Sequence, residues 1–290
     1  MRQFPRIIVD QMSYGVTWIQ RQLMRHAPFE ASRVLIEEFH RSRDLGEVFG
    51  LALDSYIDSL NSADLIHTLD QFSVCANGPK FSYSQEGEDL LLARFLLHQV
   101  SGKYVDVGCN SPRRHSNTYL LYLHGWRGVC IDANVTMDFR EDFGRFRPED
   151  ILVQAAVGPT GEIHTFHKFL KSELSTFSAE LANHYQQSGE ILEGIENRNL
   201  TSLSEILGRY GIQFESVDLL TLDVEGYELQ VLETIDWNQF RASFIVAELL
   251  GASVSDATKD PVTRYLNSRN YDLICVLFNS VIYRWRGYGA

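Results

Sequence analysis

The 290-residue chain is 44% hydrophobic and carries 26 Lys and Arg against 38 Asp and Glu, for a formal charge of −12. Such a composition supports a sizeable core and excludes intrinsic disorder. The negative charge repels polyanions and forfeits the counterion release that dominates nucleic-acid affinity, so no nucleic-acid partner is expected.

Residues 1 to about 74 read as helix, because Leu45, Val48, Phe49, Ala52, Leu53, Tyr56, Ile57 and Leu60 recur at intervals of three and four. Nearer the start, Arg2, Arg6, Arg21 and Arg25 surround Ile7, Ile8, Val9, Trp18 and Ile19. This basic amphipathic stretch could make peripheral contact with anionic lipid, although packing on protein, including a second copy in a homodimer, is the commoner fate of such a face. No run reaches the ~18 apolar residues of a membrane span, and no secretory leader is evident. Cys75, Cys109, Cys130 and Cys275 show no CxxC spacing, and a reduced, cytoplasmic protein is expected.

The breaker cluster CANGPKFSYS at 75–84 divides a helical extension, 1–78, from an α/β domain, 79–290. In FSYSQEGEDLLLARFL, residues 81–96, Ser84 can cap an amphipathic helix, and Gln85 and Glu88 are polar beyond what a cap needs. Short apolar runs at 103–107, 128–132, 151–157, 217–224 and 243–249 read as buried parallel strands, alternating with helical patterns. The tail YDLICVLFNSVIYRW reads as two strands joined by a turn at Phe278, Asn279 and Ser280. Together these predict a doubly wound, mostly parallel sheet with helices on both faces and a C-terminal antiparallel hairpin.

In such a sheet the ligand sits beyond the carboxyl ends of the strands. Those ends are Asp106, Asp132, Ala155 with Ala156, Asp223 and Glu248. After Asp106, the turn Gly108, Cys109, Asn110, Ser111, Pro112 has one glycine, which lets a ligand approach and leaves amides to bind it, but lacks the further glycines of a pyrophosphate cradle. Asp132, 26 residues beyond Asp106, can accept both hydroxyls of a ribose; each acid can also simply cap the helix that follows.

In TLDVEGYELQVL, residues 221–232, Asp223 and Glu225 flank Val224 before a turn at Gly226. With Glu248 on the adjacent strand they could act as general base, as ligands of a divalent cation, or as acceptors for an ammonium; Glu225 and Glu228 could equally cap the next helix. His164 and His167 lie three apart and would face opposite ways on a strand, which disfavours zinc, while His167 or His115 could serve as an acid or base. Arg113 and Arg114 form a basic pair near the site.

YSQEGEDLLLARFL, YVDVGCNSPRRHSNTYLLYLHGWRGVCIDAN, LLTLDVEGYELQVLETID and IVAELL, in that order over roughly residues 80–286, resemble the FkbM family of S-adenosylmethionine-dependent methyltransferases. The resemblance implies a Rossmann-like class I methyltransferase sheet and a cofactor without phosphate, consistent with the glycine-poor turn. It implies that Asp106, Gly108, Cys109 and Asn110 form the loop at the methionine part and that Asp132 binds the ribose. By the same likeness Ala133, Asn134 and Ala156 border the adenine, while Gln85, Asn117 and Asp223 surround the amino-acid end. Cys109 departs from the alanine more usual there. Residues 1–74 match no part of the pattern.

The expected activity is O-methylation of a hydroxyl on a sugar, glycolipid or related natural product. Asp223, Glu225 and His167, in that order, are the candidates for the base, and Asp223, Glu225 and Glu248 are the candidate ligands should a divalent cation take part. The alternatives are an NAD-dependent sugar-modifying oxidoreductase or epimerase, and a non-catalytic protein that retains the fold.

Overall fold

A computed structural model of the chain describes residues 82–211, 217–250 and 253–288. The helical extension and its expected lipid or dimer contacts lie outside the described residues. Residues Phe81–Ala290 form one compact unit.

The elements run α1 (Glu88–Leu96), β1 (Lys103–Val107), α2 (Tyr119–Leu123), β2 (Arg127–Asp132), α3 (Met137–Phe146), β3 (Ile151–Gln154), β4 (Ala156–Val157) and β5 (Ile163–Phe169). After a 3-10 turn (Ser172–Leu174) come α4 (Ala179–Gln187), β6 (Leu192–Thr201), α5 (Leu203–Arg209), β7 (Val217–Leu222), α6 (Glu228–Glu233) and β8 (Ala242–Glu248). The chain closes with α7 (Val254–Ala257), α8 (Pro261–Ser268), β9 (Tyr271–Val276) and β10 (Ser280–Trp285).

Seven strands form one sheet in the order β3-β2-β1-β7-β8-β10-β9, parallel except for β10, which runs antiparallel to both neighbours. The strand order reverses between β1 and β7, so a crevice opens at their carboxyl ends. The expected mostly parallel sheet with a terminal hairpin is what forms. Its strands are continuous apolar runs because helices cover both faces: Val105, Val107, Val129, Ile131, Leu220, Leu222, Ile245 and Ala247 are all buried in one core.

Two features differ from the sequence expectation. The run 151–157 breaks at Ala155: β3 pairs with β2, whereas β4 joins a second sheet of order β4-β6-β5. Strand β6, LEGIENRNLT, escaped notice because it is largely exposed and polar, so it carries no buried apolar period.

The segment before α1 is more than a cap. The Ser84 hydroxyl accepts from the amides of Gly87 and Asp89, and the Asp89 carboxylate accepts from the Tyr83 amide and the Ser82 and Ser84 hydroxyls. Glu86 accepts from the Asn279 amide at 2.9 Å, and Glu88 from the Ser280 hydroxyl at 2.8 Å. These bonds fasten residues 82–89 to the β9–β10 turn, bringing Gln85 to the sheet's carboxyl edge.

Beneath the β1 loop lies a buried ionic cluster. Arg147, fully buried, donates to Asp150 (2.8 Å), Tyr104 (2.9 Å) and Thr118 (2.9 Å), with Asp106 at 3.9 Å. The Thr118 hydroxyl in turn donates to Asp106 at 2.5 Å. Removing the cation strands two buried carboxylates, so Arg147→Met is expected to lose about 3 kcal/mol of stability in urea denaturation.

Candidate active site

At the carboxyl ends of β1, β2 and β7 lies a cavity of about 350 Å³. Its wall includes Gln85, Gly108, Cys109, Asn110, Asp132, Ala133, Asn134, Asp223, Glu225 and Glu248. The structure thus gathers most of the residues singled out in the sequence into one place.

The turn after β1 is shaped by Gly108, at φ 82°. A Cβ there would sit 1.7 Å from the Asp223 carbonyl oxygen, so only glycine lets the β1 and β7 loops approach this closely. The loop's amides are not left for a ligand, contrary to expectation. Those of Gly108 and Cys109 donate to the Ile131 carbonyl at 2.8 and 3.3 Å, and that of Asn110 donates to Asp132 at 2.9 Å.

Asp132 is the pivot of this wall. One carboxylate oxygen accepts from the Asn110 amide and the other from the Asn134 amide at 2.7 Å, which fixes the plane of the group. Burial pushes its carboxyl above the ordinary range, while these two amides favour the charge. Each oxygen keeps a lone pair, so the group can accept a vicinal pair of hydroxyls.

Asp223, Glu225 and Glu248 lie two and three strands away from β2. One oxygen of each falls within 4.8 Å of the others, close enough to share one cation. Burial and the neighbouring acids push Asp223 well above the ordinary carboxylate range and Glu248 up to about 11. Glu248 Oε2 is buried without a hydrogen-bond partner. Burial raises Glu225 to about 7, opposed by a hydrogen bond from the Tyr185 hydroxyl and reinforced by Glu228 and Glu173.

Glu225 holds φ 52° and precedes Gly226 at φ 83°, a left-handed pair that turns the chain sharply from β7 into α6. The turn is fixed from both sides: the Thr176 hydroxyl donates to the Glu225 carbonyl at 2.6 Å, and the Glu228 carboxylate accepts from the amides of Val224 and Gly226. Glu228 thus fastens the turn, and neither it nor Glu225 caps the first amides of α6.

Asp106, Asn117, Ala156 and His167, assigned to the site from the sequence, are not on the cavity wall. Asp106 is buried beneath the loop with Thr118 and Arg147, where its role is to brace β1. Asn117 donates to the Thr221 hydroxyl at 3.0 Å and ties the start of α2 to β7. Ala156 opens β4 and is buried, and its neighbour Ala155 lines the cavity instead. His167 pairs through its backbone with Thr176, has a buried Nδ1 without a hydrogen-bond partner, and does not reach the cavity wall. His115 does reach the wall, whereas Arg113 lies 3.9 Å over the Phe146 ring.

Other wall residues come from the arm between β4 and β6. Lys171 to Ser175, Phe177 and Tyr185 cover the cavity, and the Ser172 hydroxyl donates to the Asn110 side-chain oxygen at 2.8 Å. No motif marked Tyr185. Its α4 helix is exposed except at Leu181, Ala182 and Tyr185, and only the fold brings the Tyr185 hydroxyl to Glu225.

The sequence model of the methyltransferase FkbM domain matches residues 106–273. Among solved structures, a precorrin-6y C5,15-methyltransferase from Geobacter metallireducens is 15% identical over 75% of this chain and 95% of its own, with a TM-score of 0.38. An O-methyltransferase from Bacillus cereus, in complex with SAH, is 12% identical over 80% of this chain and 96% of its own, also at 0.38. A search of curated proteins gives no match.

Proposed function

The chain belongs to the FkbM methyltransferase family and is an S-adenosylmethionine-dependent methyltransferase, and from that premise we propose that it methylates a hydroxyl of a sugar, glycolipid or related natural product. The observation that carries this reading is Glu225, a carboxylate brought to about 7 by its surroundings and held on the cavity wall by Tyr185. A base with a pKa near the working pH is what deprotonating a hydroxyl requires.

The residues fit the cofactor. Asp132 would offer its two fixed oxygens to the ribose, Ala133, Asn134 and Ala155 would provide a small-sided slot for the adenine, and the β1 loop at Gly108, drawn close to the β7 loop, would border the methionine part. Gln85 and Asp223, also on the wall, would meet the amino-acid end. Bound cofactor supplies an electrophilic methyl on a sulfonium whose charge is lost as the methyl leaves. The protein's share is to align the acceptor oxygen, exclude water with the arm at Lys171–Ser175, and take the proton on Glu225. These steps do not require a divalent cation.

The oxidoreductase reading is weakened by the β1 loop. A pyrophosphate needs free amides, and those of Gly108, Cys109 and Asn110 are already spent on Ile131 and Asp132. Calorimetric titration with S-adenosylmethionine, S-adenosylhomocysteine and NAD tests the choice. We expect binding of the first two and none of NAD, and methyl incorporation when a glycan panel is added; cofactor binding with no incorporation into any hydroxyl overturns O-methylation. Asp132→Ala removes two charge-assisted hydrogen bonds to the ribose and should weaken S-adenosylhomocysteine binding about 100-fold in the same titration.

A further inference from the structure

A second cavity of about 510 Å³ opens beside the first. Glu248 and Leu250 line both, so the two spaces meet at the carboxyl end of β8. One side of this groove is α4, through Ser178, Glu180, Leu181 and His184; the other is the start of α6 and α8, with Gly226, Leu229, Asp260 and Pro261. Leu181 stands over the turn at Gly226, where an added Cβ would lie 3.6 Å from its methyl.

We propose that this groove is the acceptor site and that it selects an acceptor carrying a protonated amine near the hydroxyl to be methylated. The inference rests on the glycan O-methylation reading. Access comes from geometry: an acceptor lying in the groove reaches the cofactor cavity at Glu248, beside Glu225, the proposed base. Apolar contact comes from Leu181, Leu229, Leu249, Leu250 and Pro261, which suit the carbon face of a sugar ring. The fixed charge is one-sided, since Glu180 and Asp260 line the groove with no Lys or Arg among its wall residues, and Glu228 and Glu248 add two further carboxyl groups. Two of these acids have local duties, as Glu228 fastens the β7–α6 turn and Asp260 caps α8 by accepting from Val262 at 2.7 Å. Glu180 is exposed, and Glu248 has the buried oxygen without a partner. An ammonium gains from this field, whereas a carboxylate or phosphate on the acceptor is repelled.

The test uses the full chain saturated with S-adenosylhomocysteine and three probes: methyl glucosaminide, methyl glucoside and methyl glucuronide, titrated by calorimetry in EDTA. The aminated probe should bind at least about ten-fold more tightly than the glucuronide, with the neutral one between them. Leu181→Trp should fill the groove and weaken the aminated and neutral probes about ten-fold or more while leaving S-adenosylhomocysteine affinity unchanged. Glu180→Lys, an exposed change that spares the fold, should shrink the gap between the aminated probe and the glucuronide. A glucuronide that binds as well as the glucosaminide, probes that bind equally to Leu181→Trp, or no binding of any probe overturns the proposal. So does a preference for the amine that is absent in EDTA and appears only with Mg²⁺ or Mn²⁺, which would assign the positive charge to a metal ion. Methyl transfer is read separately: the expected binding order with no methylated oxygen in any product would sink O-methylation and leave the groove assignment standing.

Discussion

With Glu225 replaced by glutamine, methyl transfer slows by about three orders of magnitude while S-adenosylhomocysteine binds as before. Glutamine keeps the shape and can still accept from Tyr185, but it cannot take a proton. The pH profile makes the result specific. Burial first, then Glu228 and Glu173, raise Glu225 to about 7, and the Tyr185 hydroxyl restrains that rise. In the parent, kcat should therefore climb as pH passes upward through about 7 and then level off. In Glu225→Gln this limb disappears. Tyr185→Phe removes the restraining bond, so the limb should survive and move to higher pH. Stopped-time assays from pH 5.5 to 9, on the acceptor found in the glycan panel, would check all three. A Glu225→Gln profile parallel to that of the parent would remove Glu225 from the chemistry and turn attention to Asp223.

The sheet was legible because its strands are buried on both faces, which forces continuous apolar runs such as YVDV and LLTL, and because the acids and Gly108 sit where such strands must end. What sequence could not separate was an acid that faces the ligand from one that braces the strand beneath it. Asp106 and Asp132 both close apolar runs, yet Asp106 stands opposite Cys130, two register positions short of Asp132, and turns down to Thr118 and the Arg147 cluster while Asp132 faces the cavity. The difference depends on Arg147, a residue distant in sequence that sits in no motif. Ala155 and Ala156 were confused for a related reason. The expected single strand changes sheet between them, and this exchanges the residue that faces the cavity. The arm carrying Tyr185 was illegible because exposed polar strands and a largely solvated helix leave no apolar period.

The second large effect concerns stability, and it has the opposite sign to the usual loss on mutating an active site. Glu248→Gln should make the cofactor-free protein more stable at pH 8 by on the order of 4 kcal/mol, and by less than about 1 kcal/mol at pH 5. Burial, then Asp223, Glu225 and Glu228, hold the folded carboxyl up to about 11, against an ordinary value of 4.5. The folded state therefore binds this proton more tightly than the unfolded state, and stability falls as pH rises from about 4.5 towards about 11. Glutamine carries no such proton, so its advantage must widen with pH. Urea denaturation of parent and variant in EDTA at both pH values would measure the divergence, and a constant difference would show that Glu248 is already ionised and compensated. Adding S-adenosylmethionine should narrow the gap at pH 8, because its positive charge stabilises the ionised parent more than the amide. A cluster of acids that costs the empty protein stability as pH rises is then explained by what it does when a cation arrives, since an arriving positive charge favours the ionised carboxylate that burial disfavours.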